Sequence, residues 1–315
     1  MRILVTGGAG FVGSNVVAVA AARGDDVAAI VRTTTPLPDP ACRYVQVDLL
    51  DAEATRAAVE DARPDAIVHT AILNDLLGIY ADRRAAWESY VGVTRTLASA
   101  ANDCDATLLY VSTDWVFDGR QSGADESTPP NPINYYGVLK AASELVTVER
   151  ARKPIVARIA GVMGTHRAGR EVARSQDPGF GYFVSAVVDA LSADRPFTVW
   201  ESDSINMVAT PSLASLSSAW LLELAERELR GIFHCCGGES TTRVALARQA
   251  ARAFDLDESL IESGPPDQAA LPPAPIPYDT SLDARMTARA LERELPSVHD
   301  LLREFRNERE QVGGS

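Results

Sequence analysis

The 315-residue sequence predicts an α/β protein: a doubly wound parallel sheet with a smaller C-terminal α+β domain. Three observations predict it. Short apolar runs alternate with amphipathic segments through the first half, the pattern of βαβ units, because parallel neighbours need a crossover helix between them. A glycine-rich turn, Gly7 to Gly13, joins the first apolar run to the first helical one. Past about residue 160 the alternation stops and a less regular rhythm begins.

The predicted strands are Arg2–Thr6, Asp26–Val31, Arg43–Val47, Ala66–Thr70, Thr107–Ser112 and Ile155–Ile159, each a short apolar run of buried type. Helical periodicity covers Phe11–Arg23, Ala52–Ala62, Arg83–Ala101 and Tyr135–Arg150. Beyond them Gly161–Gly181 reads as a long polar loop and Phe183–Ala193 as a helix. Phe197–Trp200 reads as a strand, Ser212–Glu228 as a helix and Gly231–Cys235 as a strand. Helical signals return at Thr241–Phe254 and from Asp283 onward, on either side of a Pro-rich loop, Gly264–Pro277. The expected division puts residues 1–160 with about 205–240 in the sheet domain, and about 161–204 with 241–315 in the smaller one.

Composition narrows the function classes. A net charge of −13 argues against nucleic acid as a partner, which needs clustered Lys and Arg. No apolar run reaches the roughly 18 residues of a membrane span, and Met1-Arg2 leads straight into a strand, unlike a signal peptide. The cysteines at 42, 104, 235 and 236 show no CxxC spacing, so no metal site is expected and reduced thiols in a cytoplasmic protein are.

Gly7, Gly10 and Gly13 stand at G-x-x-G-x-x-G spacing between strand and helix. Such a turn brings backbone amides against a pyrophosphate, and the helix N-terminus adds its unpaired N–H groups and dipole. At the end of the second run, Val31 occupies the place where an acid would take the ribose hydroxyls of NAD, and Arg32 follows with Thr33 and Thr34. A missing acid and an adjacent cation favour the 2′-phosphate of NADP. Asp48 and Leu49 suit the adenine edge, with Asp48 as a helix cap the competing reading.

The fifth run leads into Ser112-Thr113-Asp114-Trp115, and Tyr136 and Lys140 follow at helical i, i+4 spacing, on one face. Carbonyl reduction needs a proton donor beside the hydride source. A phenol titrates near 10, so it needs a neighbour that draws it toward neutral, a task for the Lys140 ammonium. Thr113 would hold the substrate oxygen.

The segments TGGAGFVG, STDWVFDG and NYYGVLKAASE resemble the extended short-chain dehydrogenase/reductases, and within them the dTDP-4-dehydrorhamnose reductase-like branch. Weaker echoes at Arg158–Val162, Gly231–Gly238 and Ser281–Asp283 extend the resemblance over most of the chain. It implies a Rossmann-type cofactor domain, a C-terminal substrate domain and a cleft between them, with Thr113, Tyr136 and Lys140 as the catalytic set. It further implies cofactor contacts from Gly7, Gly10, Phe11, Val12, Asp48, Leu49, Thr70 and Ala71, besides Tyr136 and Lys140, to which the strand-end reading adds Arg32. Asp114, Trp115, Arg174 and Asn206 are the substrate candidates. A homodimer through the helices Arg83–Ala101 and Tyr135–Arg150 is expected, although the stripe Ala86, Tyr90, Val93, Leu97, Ala100 on the first suits a core equally well. The implied activity is NADPH-dependent reduction of a ketone, a 4-keto sugar nucleotide or a related small keto compound.

The chain departs from the branch at three places. Tyr90 replaces a usual Asn, Gly161 a usual aromatic, and Pro275-Ile276-Pro277-Tyr278-Asp279 a usual Arg-Pro that would suit a pyrophosphate. Arg158, Arg167, Arg170 and Arg174 are candidates to compensate. A dehydratase or epimerase is the competing enzyme, but Trp115 stands where a dehydratase carries the second acid after Asp114. The branch also includes a regulatory subunit that binds NADP as a partner protein, the non-enzymatic alternative.

Overall fold

The computed structural model describes residues 1–33, 41–73, 76–168 and 176–313. Six strands, β1 (Arg2–Thr6), β2 (Asp26–Val31), β3 (Cys42–Gln46), β4 (Ala66–His69), β5 (Thr107–Thr113) and β6 (Pro154–Ile159), are joined by Gly231–His234 into one seven-stranded sheet. Its order is Gly231–His234, β6, β5, β4, β1, β2, β3, and every pairing is parallel. The chain winds outward from β1 to β3, then returns to β4 on the other side of β1. The C-terminal ends of β1 and β4 therefore diverge into a crevice, the usual ligand position of such sheets.

Alternation along the strands sends successive side chains to opposite faces. Ile3, Val5, Val27, Ala29, Leu109 and Val111 meet α1 (Phe11–Ala22) and a helix at Ala214–Glu226. Leu4, Ala28, Ile30, Ile67 and Leu108 meet α2 (Ala52–Ala62) and the helix Val93–Asp103 on the other face. A further core gathers Phe183, Val187 and Leu191 with Leu246, Ala250, Leu302 and Phe305 from the helices Phe183–Leu191, Arg243–Ala253 and Val298–Gly313.

The helix expected over Arg83–Ala101 is broken. Arg83–Trp87 runs into a π-helical turn, Glu88–Gly92, before Val93–Asp103 continues, and a helix at Leu76–Ala81 precedes them. The Ala86, Tyr90, Val93, Leu97, Ala100 stripe is buried in the chain's own core, so the core reading of that stripe holds. Ser212–Glu228 begins with a two-residue strand, Ser212–Leu213, paired to Val162–Met163 inside the expected polar loop. Thr241–Thr242 is likewise strand, with Thr242 capping the helix that follows through the amide of Ala245. These pairings join residues more than 30 positions apart, beyond any local periodicity.

Arg243 anchors the second core. It is wholly buried, and its guanidinium donates to the carbonyls of Gly179, Asn206 and Asp177 and to Gln176 Oε1. It also lies 4.7 Å from the ring centroid of Phe183. We expect Arg243→Met to lower unfolding free energy by at least about 2 kcal/mol, because several buried acceptors lose their donor at once. Chemical denaturation measures this; a change within experimental error would show that the acceptors find other partners.

Candidate active site

The glycine turn is shaped by close approach. A Cβ on Gly13 would lie 2.2 Å from Gly7 O and 2.7 Å from Thr70 Oγ1, so only glycine lets α1 start this near the ends of β1 and β4. Gly10 differs: its Cβ would meet only Gly7 O, at 3.1 Å, and it caps α1 without any side-chain hydrogen bond. A helix N-terminus beside a small open turn is the donor set a pyrophosphate requires, so the residues present fit a dinucleotide. Phe11 and Val12 begin that helix. Thr70 Oγ1 donates to Thr6 O at 2.7 Å, and the Ala71 amide approaches Thr6 Oγ1 at 3.4 Å, which draws both to the same turn.

Arg32 is exposed at the end of β2, and Val31 beside it is buried with its carbonyl taken by the Val47 amide. Thr33 is exposed, and Thr34 lies outside the described residues. Asp48 is exposed and accepts from the Leu50 amide, Leu49 is half-buried, and the cap of α2 is Asp51, which accepts from the Glu53 and Ala54 amides. The helix-cap reading of Asp48 therefore falls to its neighbour.

Tyr136 and Lys140 sit on α6 (Tyr135–Arg150), capped by Asn134, whose Oδ1 accepts from the Gly137 amide at 2.8 Å. A Cβ on Gly137 would lie 2.2 Å from Trp115 O. That glycine thus lets α6 press against the 3₁₀ turn Asp114–Val116 at the end of β5, which brings Tyr136 to Thr113 and Trp115. The Trp115 and Tyr136 rings meet edge to face at 5.9 Å, and Tyr90 closes the other side at 6.3 Å. Tyr90, the departure from the usual Asn, donates its hydroxyl to Leu73 O.

Burial raises the Tyr136 phenol well above its ordinary range, while the Thr113 hydroxyl acts in the opposite direction. A neutral phenol is suited to give a proton up rather than to take one. Lys140 Nζ donates to Val111 O at 2.8 Å and lies 4.9 Å from the Tyr110 ring centroid. Burial lowers its proton affinity to about 7, with Glu144 pulling it upward. In this arrangement the ammonium serves a backbone carbonyl, and the lowering of the phenol expected from the sequence is absent.

The substrate candidates separate. The Asp114 carboxylate is buried, accepting from Thr113 at 2.9 Å and from Thr280, and burial raises it to about 6. Both its oxygens are spent on a latch between β5 and the C-terminal segment. Asn206 Nδ2 donates to the carbonyls of Val208 and Tyr278, and its Oδ1 lies 3.3 Å from Thr280 Oγ1, whose proton goes to Asp114, so this side chain is a clamp. Trp115 lines a narrow crevice beside Tyr136, too tight to admit a water molecule, with Leu76, Tyr80, Asn134, Pro272, Ala274, Pro275 and Ile276. Leu76 and Tyr80 belong to the helix that periodicity missed, because six residues hold too little pattern. Arg158 is wholly buried on Glu144, and Arg167 faces Glu308 at 3.6 Å, so neither compensates for the missing Arg. Arg170 and Arg174 lie outside the described residues. Gly161 takes a φ of +47°, with Phe180 filling the space beside it.

A parallel sheet with this glycine turn and a strand-end Thr beside a Tyr-x-x-x-Lys helix define the extended short-chain dehydrogenase/reductase class. Within it, residues 1–310 match the family described as the RmlD substrate binding domain, and the chain belongs to that family. It is 29% identical to methionine adenosyltransferase 2 subunit beta of Rattus norvegicus over 226 residues, 69% of this chain and only 63% of that protein. It is 26% identical to a probable low-salt glycan biosynthesis reductase of Haloferax volcanii, over 84% of this chain and 83% of that one. The fold is similar to dTDP-4-dehydrorhamnose reductase of Bacillus anthracis in complex with NADP (TM-score 0.78, 20% identity, 98% of this chain and 99% of that). It is also similar to a Thermus thermophilus UDP-glucose 4-epimerase in complex with NAD (TM-score 0.76, 24% identity, 98% of each). No helix among the described residues is long and apolar enough to cross a membrane.

His69 and His234 are buried, and desolvation drives both from 6.5 to about 3. A depressed histidine adds stability above its unfolded value and loses it as pH falls toward the folded one. Asp114, raised from 3.8 to about 6, works in the opposite sense over part of that window. The two imidazoles outweigh one carboxyl, so we expect a net loss on the order of 3 kcal/mol between about pH 7.5 and 5. Denaturant titrations at several pH values measure it, and a flat profile would mean that the imidazoles reach water.

Proposed function

We propose that this protein is an NADPH-dependent reductase of a ketone, with Tyr136 as proton donor. The observation that supports the reading is that Thr113, at the C-terminal end of β5, has Tyr136 of α6 beside it, with Lys140 one turn further on that helix, on the same edge of the sheet as the glycine turn. Backbone amides at Phe11 and Val12 would hold the pyrophosphate beside Gly10, whose own amide is spent on Gly7 O; Arg32 would take the 2′-phosphate, Asp48 and Leu49 the adenine end, and Thr70 and Ala71 the approach to the nicotinamide. Bound there, reduced nicotinamide supplies the hydride. Thr113 would orient the carbonyl oxygen, and the neutral phenol of Tyr136 would release its proton to that oxygen as the new C–H bond forms. Lys140 would turn from Val111 O toward the ribose and stabilise the phenolate left behind.

The substrate class we favour is a keto sugar nucleotide or a related small keto compound, supported by the family and by the similarity to the Haloferax probable glycan biosynthesis reductase. Residues 1–160 with about 205–240 would carry the cofactor, and about 161–204 with 241–315 the substrate. For a homodimer, the apolar residues that α6 leaves exposed are Val138, Leu145 and Val148, and Trp87 is exposed at the end of Arg83–Trp87. The likeness to a methionine adenosyltransferase subunit favours a second reading, an NADP-binding regulatory partner. Absence of carbonyl-dependent NADPH oxidation, together with co-purification of a second chain, would favour that reading.

Calorimetry should show NADPH bound more tightly than NADH, and Arg32→Ala should remove roughly 1–3 kcal/mol of the preference. Equal affinities in the parent would refute the assignment of Arg32.

Turnover is the sharper measure. Tyr136→Phe should cut carbonyl reduction by roughly 10²–10⁴-fold with NADPH affinity nearly unchanged. Lys140→Ala should damage both, and Thr113→Val turnover alone. Full activity in Tyr136→Phe on a confirmed substrate would overturn the mechanism.

A further inference from the structure

Glu144 lies one helical turn beyond Lys140 on α6, and both side chains are buried. The proposed relay uses Lys140 and leaves Glu144 without a task. Glu144 is held by its neighbour on β6: Arg158 Nε and Nη2 donate to its two oxygens at 2.9 and 2.7 Å. Arg158 Nη1 lies 3.3 Å from His234 Nε2, and the guanidinium is 5.0 Å from the Phe117 ring centroid. His234 Nδ1 in turn lies 3.0 Å from Asp283 O. The imidazole is driven neutral by burial and by Arg158 itself, so it answers the guanidinium with a lone pair rather than a second charge.

Around Lys140 the other titratable groups are neutral. Tyr136 shares its helix, Tyr110 faces it from β5, Tyr90 from the π-helical turn and His69 from β4. Burial pushes the three phenols up and the imidazole down, so none of them offers Lys140 a counter-charge. The Glu144 carboxylate, four residues on along the same face of α6, favours the charged amine.

We propose that Glu144, clamped as a carboxylate by Arg158, is a positioning residue that keeps the Lys140 amine protonated inside the fold and so sets the upper pH limit of the relay. The link to the relay rests on the function proposed above; the electrostatic part does not. An ammonium can hold a phenolate and bridge to ribose oxygens, whereas a neutral amine loses the attraction to the phenolate. The reach of the pair extends through His234 to the segment at Asp283, next to Thr280, which latches Asp114.

The composition offers a direct test: the chain has two lysines, Lys140 and Lys153. Full-length protein labelled with ¹³C at the lysine ε-carbon should show two resonances, and Lys140→Met assigns them. Lys153, paired with Asp105 at the surface, is the internal control. In Glu144→Gln the Lys140 midpoint should fall by about one unit, with the Lys153 resonance unmoved. If the stranded guanidinium unfolds that variant, Glu144→Leu with Arg158→Met replaces the pair by apolar groups, a change buried pairs often tolerate, and the midpoint should still fall by about half a unit. A merely structural pair would lower the unfolding temperature and leave the midpoint where it was. A Lys140 midpoint unchanged in a folded variant overturns the proposal. Failure of the reductase reading looks different: Lys140→Met would then leave NADPH affinity intact while Glu144→Gln still moved the Lys140 resonance.

Discussion

Arg158 sits in β6 with none of its side chain in contact with water, and its surroundings are arranged to match its charge. A buried cation is tolerated only when its attraction to a partner and its hydrogen bonds offset lost hydration. Here α6 supplies Glu144, the seventh strand supplies His234, and the 3₁₀ turn after β5 leads into Phe117, whose ring faces the guanidinium. Two of those elements also carry pieces of the candidate site: α6 bears Tyr136 and Lys140, and the 3₁₀ turn bears Trp115, directly after Thr113 and Asp114. Satisfying one charge therefore fixes the relative placement of the site's parts.

The same dependence explains the latch at Asp114. Thr280 reaches that carboxylate from a segment that follows the Pro-rich loop, and Asn206 joins the same cluster. Asn134 Nδ2 donates to Pro275 O, so the cap of α6 is bonded to the loop that roofs the cleft. Polar side chains near the cleft are thus largely consumed in holding its walls together. What remains facing the space beside Tyr136 is mostly apolar: Leu76, Trp115, Pro272, Ala274 and Ile276. The proline-rich departure from the family pattern has this physical consequence, a wall with little hydrogen-bonding capacity where an Arg-Pro would have placed a cation.

How much of this was legible beforehand varied with the range of the interaction. The strands β1, β2 and β5 were readable because each is buried on both faces and shows as an unbroken apolar run. The glycine turn and the Tyr136–Lys140 spacing are local patterns and were equally plain. Glu144 belonged to the same run, at the same four-residue interval, yet its partner lies on another strand, 14 residues away. The break at Glu88–Gly92 was hidden because helical periodicity continues through it, and the stripe residues Ala86, Tyr90 and Val93 still turn inward. Asn206 is a substrate candidate by sequence, but its two donors go to backbone carbonyls that only folding brings near.

The sequence by itself determined the doubly wound sheet, its glycine turn and the residue types of the relay, since these depend on interactions within a few turns or on periodic burial. Tertiary structure alone decided which polar groups were left for chemistry. Asp114, Asn206 and Arg158 look alike in sequence as candidates for a ligand, yet each is spent on the fold. Lys140 is buried among aromatic rings and one carboxylate. The reason is that availability is a balance of desolvation against partners, and those partners come from elements far apart in the chain.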